Sequence, residues 1–151
     1  MSDRPPVDPF PYPQQLVVGV IGNEEGGQRA SEALLHAGFA PDSIVVLHGE
    51  EDARRLDVGG EEHGRGGKLI RALQAALSFD RDHVRRHAAH LRSGDSVVGV
   101  TVGEDDDARR RAVDALRAAG GSFINYYGDN YIQSYEPDPH ASRETRPDEP
   151  A

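Results

Sequence analysis

Two short stretches decide how this sequence folds: LVVGVIG at residues 16–22 and SVVGVTVG at residues 96–103. Both hold the tetrapeptide VVGV, and both read as apolar strands closed by glycine. Each is followed by acidic residues, NEEGG (23–27) and GEDDD (103–107), and then by a helical pattern. The patterns match as well: RASEALLHAG (29–38) aligns with RAVDALRAAG (111–120). In the first, Ala30, Ala33, Leu34 and Ala37 fall on one helical stripe; in the second, Ala108, Ala112, Ala115, Leu116 and Ala119 do so. Asn23 with Glu24 and Glu25, and the run Asp105 to Asp107, suit helix starts, where carboxylates meet the positive helix end. Gly38 and Gly120 suit the left-handed position that ends a helix. A further strand follows each helix, SIVVL (43–47) and SFINYY (122–127).

The chain therefore reads as strand-helix-strand twice, with an insert between the halves from about 48 to 95. Right-handed crossovers turn this into an α+β sandwich, a ferredoxin-like split βαβ repeat with a helical insert. A doubly wound parallel sheet is the alternative, because the strands are apolar on both faces. Within the insert, KLIRALQAAL (68–77) and FDRDHVRRHAAHLRSG (79–94) read as helices, the second with Asp80 as N-cap and Gly94 as C-cap. The segment 59–67 reads as a glycine-rich loop.

At 151 residues the chain fits one domain. The proline-rich residues 1–13 and the charged residues 136–151 have too little apolar surface to fold and read as disordered tails. The single α/β domain is then 14–135. A net charge of −9 argues against nonspecific binding to nucleic acid or an anionic membrane. The absence of cysteine removes thiol catalysis, thiolate metal sites and disulfides. No apolar run approaches the roughly 20 residues of a membrane span. These features suit a cytoplasmic protein that needs no cofactor.

Candidate chemistry is sparse. GRGGK (64–68) lacks the spacing of a phosphate loop and does not follow a strand. GVIGNEEGG (19–27) opens a helix, but its two glutamates repel phosphate. Gly19, Gly22 and Gly99 mark where an effector could lie against the central strands. His83, His87 and His90 sit at i, i+4 and i+7, a spacing that can ligate a transition metal. Arg85 and Arg86 oppose a cation there, and no carboxylate stands at a matching offset, so the simpler reading is the flank of a packed helix. The aromatic run FINYYGDNYIQSY (123–135) holds Tyr126, Tyr127, Tyr131 and Tyr135. Phe123, Asn125 and Tyr127 face one way, and Ile124 and Tyr126 the other. Residues 131–135 read as a short helix lying back on the sheet. Tyrosines clustered without a basic residue suit a partly buried interface rather than base stacking.

The run VVGVIGNEEGGQRASEALLHAGFAPDSIVVL (17–47) resembles the opening of bacterial general stress proteins of the YflT type. LRSGDSVVGVTVGEDDDARRRAVDALRAAGGSFINYYG (91–128) resembles the second half of related stress-type domains, which close on an aromatic-aromatic-glycine. The resemblance spans about 16 to 132. It implies a small stress-associated α/β domain and carries over no catalytic residues. The expected function is a non-enzymatic, stress-associated or regulatory domain that self-associates, as a dimer first, and can bind a protein partner. The alternatives are a small-effector sensor, and a metal-binding protein or small enzyme built on the histidine row.

Overall fold

A computed structural model describes residues 15–58, 81–128 and 131–138. The glycine-rich segment 59–67, GRGGK, the helix expected over 68–77, the Asp80 cap, residues 1–13 and residues 139–151 lie outside the described residues.

Among the described residues there are five strands: β1 Leu16–Ile21, β2 Ile44–His48, β3 Ser96–Thr101, β4 Ser122–Tyr127 and β5 Ile132–Glu136. They form one sheet in the order β2-β3-β1-β4-β5. Every neighbouring pair is antiparallel, which rules out the doubly wound parallel alternative. The two VVGV copies lie side by side at the centre, with Val17 opposite Val100 and Val20 opposite Val97. Because β3 separates them, β1 and β2 run in the same direction; β3 and β4 likewise run together with β1 between them.

Helix α1 (Asn23–His36) spans the first pair and α4 (Asp106–Ala118) the second. Both lie on one face of the sheet. There Ala30 and Leu34 of α1 and Ala112, Val113 and Leu116 of α4 bury against Val17, Ile21, Val98, Val100, Ile124 and Tyr126. The insert supplies α2 (Gly49–Val58) and α3 (Arg81–Arg92). They cover the opposite face: Ala53, Leu56, Ala88 and Leu91 pack on Leu16, Val18, Val20, Val97, Phe123 and Tyr127. The alternation of side chains in β1 thus feeds two cores.

The helix ends follow local chemistry. The Asp105 carboxylate accepts from the Asp107 and Ala108 amides at 2.9 and 3.3 Å, filling donors that the first turn leaves open. The Asn23 side chain accepts from the Gly26 amide at 2.8 Å. Gly38, Gly94 and Gly120 have φ of +101°, +100° and +91°, the left-handed values expected after α1, α3 and α4. Gly27 is required for another reason: a Cβ there would stand 2.5 Å from the Ser96 hydroxyl oxygen, so α1 crosses β3 in close contact.

Two expectations are corrected at the C-terminal end. Residues 132–136 are a strand, not a helix: Tyr126 and Tyr127 pair with Gln133 and Ile132 in an antiparallel ladder. The folded chain also runs past 135. Pro137 accepts a hydrogen bond from the Phe123 amide at 3.0 Å, and Asp138 is buried. Opposite this junction Phe123 takes φ +47°, beside the irregularities that β4 shows in both its pairings.

Candidate functional site

The histidine row lies on the inner side of α3, over the end of β4. All three rings gather around Phe123, with centroids 5.2 Å away for His83, 4.6 Å for His87 and 6.2 Å for His90. The 3.6-residue period that aligns His83, His87 and His90 also places Ala88 and Leu91 against the sheet. The row is the polar margin of a buried face.

Each ring is engaged differently. His83 Nδ1 is 2.7 Å from the Tyr127 hydroxyl. His87 is fully buried, and its Nδ1 lies 2.7 Å from the His83 carbonyl. A carbonyl only accepts, so this nitrogen carries the proton. Its Nε2 is buried and has no hydrogen-bond partner among the described residues. Burial disfavours the charged imidazolium and pushes the His87 pKa down to about 3, with the neighbouring His83 and His90 adding to the effect. His90 has a carboxylate on each ring nitrogen: Asp95 is 2.7 Å from Nδ1 and Asp138 is 3.1 Å from Nε2. Arg86 reaches Asp138 at 3.4 Å and Asp82 at 2.7 Å. A pocket of about 340 Å³ opens beside this ion cluster, lined by Arg86, Ala89, His90, Ser93 and Asp138.

The donors therefore diverge. His83 turns to Tyr127, His87 to a backbone carbonyl and His90 to two carboxylates. Among the described residues, no three His, Cys, Asp or Glu side chains are grouped to hold a metal ion. The arrangement ties α3 to β4 and to the chain after β5.

Two of the three glycine positions are closely neighboured by side chains. A Cβ at Gly19 would meet Ile124 and Leu116 side chains at 3.1 and 3.3 Å, and one at Gly99 would meet Val45 at 3.3 Å. These two glycines admit core side chains, on opposite faces of the sheet. Gly22 is exposed before α1, and a Cβ there would meet nothing within 4 Å. Of the three positions expected to border an effector, Gly19 and Gly99 thus lie in packed core.

The tyrosines are divided as well. Tyr127 is fully buried and Tyr126 is 3% exposed, so neither offers its ring to a partner. Arg109 lies over the Tyr126 ring at 4.0 Å. Tyr135 is half-buried, and Tyr131 is 47% exposed. Of the four expected interface residues, only Tyr131 and Tyr135 border the surface, both at β5.

Beside β5 lies a feature that the sequence did not reveal. A groove of about 480 Å³ runs between α4 and β5, walled by Asp106, Arg109, Arg110, Val113, Asp114 and Arg117 on the helix and by Gln133 and Tyr135 on the strand. Arg109 bonds Gln133 and Asp106, each at 3.0 Å; Arg117 bonds Glu136 at 2.7 Å. The helical residues do follow one stripe, i, i+3, i+4, i+7, i+8 and i+11. Their significance depends on β5 being a strand, which sequence reasoning read as a helix. Asp138 was missed because its contact with His90 arises from topology and not from spacing.

No protein-family model matches the chain, and comparison with curated proteins and with solved structures finds no match either.

Proposed function

We propose that this chain is a non-enzymatic regulatory domain of ferredoxin-like architecture that works by self-association and by binding protein. The carrying observation is the β5 edge: an edge strand with a groove along it and an exposed aromatic, Tyr131, at its start. Edge strands left uncovered are templates for pairing with another chain. The interleaved order of the strands supports the ferredoxin-like assignment. The inward engagement of the histidine row supports a binding role over catalysis, since its donors hold elements together and do not converge on one point. Association with a stress response rests on the resemblance of residues 17–47 and 91–128 to the YflT-type domains. A cytoplasmic location belongs to the same proposal; among the described residues no helix is long and apolar enough to cross a membrane.

Sedimentation velocity over a concentration series tests self-association. A shift from monomer toward dimer with rising concentration is expected. A monomer at the highest attainable concentration would refute it.

A further inference from the structure

The sheet has two outer edges, and they are not equivalent. On β2, the His48 amide donates to the Asp52 carboxylate at 2.9 Å, and the Ile44 amide donates to the Pro41 carbonyl. Both point away from β3, so by strand alternation Val46 alone keeps an outward amide in β2. This edge is largely spent on contacts within the chain.

The β5 edge is different. The Gly128 amide donates to Tyr131 and the Phe123 amide to Pro137, which fixes the inward-facing set. Ile132 and Ser134 then turn their backbone N–H and C=O groups outward. Among the described residues no strand pairs with that side.

We infer that the β5 edge is where a second copy of this chain docks, with the two β5 strands antiparallel about a two-fold axis at Ser134. This rests on the self-association proposed above. Pairing at that centre brings Ile132 and Ser134 backbone groups of both copies into one ladder and joins two five-stranded sheets. Tyr131 of one copy then lies near Pro137 of the other; both are exposed in the single chain.

The charge pattern of the groove favours a copy over an unrelated partner. Its helical wall holds Asp106, Arg109, Arg110, Val113, Asp114 and Arg117. A two-fold axis normal to the sheet sets α4 of the two copies antiparallel, as opposite walls of one trough. Reversed about its midpoint between Arg111 and Ala112, the stripe aligns Asp106 with Arg117, Arg109 with Asp114, and Arg110 with Val113. No like charges face each other. An isologous contact requires this self-complementarity, and like charges across an interface would oppose it.

The chain has no cysteine, so a single introduced thiol reports one location. Ser134→Cys should form an intersubunit disulfide under mild oxidation, since paired strands set facing Cα atoms within bonding range. Leu35→Cys, on an exposed site of α1, should not. Ser134→Pro removes the outward amide while keeping the ladder to β4, a substitution edge strands tolerate, and should weaken dimerisation about tenfold or more. Cross-linking at Leu35 but not at Ser134, or a Ser134→Pro variant as dimeric as the parent, would overturn edge pairing and leave self-association standing. A parent protein that stays monomeric would remove both.

Discussion

Lowering the pH should destabilise this fold through His87. The ring is fully buried, stacked at 24° on Phe123, and held neutral with its pKa near 3. In the unfolded chain the same group titrates at about 6.5. Between those values the unfolded state binds one proton more than the native state. Stability from this site is therefore complete above about pH 6.5 and is lost as pH falls toward 3. The slope is about 1.4 kcal/mol per pH unit, so moving from about pH 7.5 to about pH 4.5 costs between about 2 and 3 kcal/mol. That is a large share of a typical domain stability of about 5–15 kcal/mol. His83, His90, Asp95, Asp138 and Arg86 are ionisable side chains around the site. The comparison must therefore be made against His87→Leu. This variant loses one bond to the His83 carbonyl and also the unpartnered Nε2. It should match the parent within about 1 kcal/mol near neutral pH. Urea unfolding at stepped pH should then show the parent falling faster than the variant by the amount above. Parallel curves would refute a buried neutral His87.

Gly27→Ala should cost about 1–3 kcal/mol by chemical denaturation, because its methyl meets Ser96 at 2.5 Å and α1 must lift from β3. Asp105→Ala removes the cap accepting from Asp107 and Ala108 and should cost about 1 kcal/mol. Asp138→Ala leaves the buried His90 and the half-buried Arg86 short of a carboxylate; a loss of about 3 kcal/mol is expected, and increased proteolysis near the chain end should report it.

The repeat made the central sheet legible. A strand apolar on both faces, duplicated together with its helix, admits few arrangements, and Val17 and Val18 do point to opposite cores. What the repeat does not contain was harder to read. The β5 strand has no partner pattern of its own, and Tyr131, Ile132 and Tyr135 also satisfy a helical period. Its pairing with Tyr126 and Tyr127 decides the outcome. The tyrosines read as a surface because the sequence does not show how α2 and α3 together cover the second face. His87 adds to that coverage by burying a ring beside Ala88 and Leu91.

The position of β1 has a consequence for synthesis. It leaves the ribosome before the other four strands and must wait for both of its neighbours, β3 and β4. Leu16 pairs on one side with Thr101 and on the other with Tyr127. Until β3 has emerged, LVVGVI has no ladder to join, and β2 cannot supply one because β3 lies between them. Long-range pairing of this kind slows folding and prolongs the exposure of an apolar strand. A nascent chain halted at Gly94 should therefore be open to protease and bound by chaperones. One extended beyond Asp138 should acquire protection in a single late step.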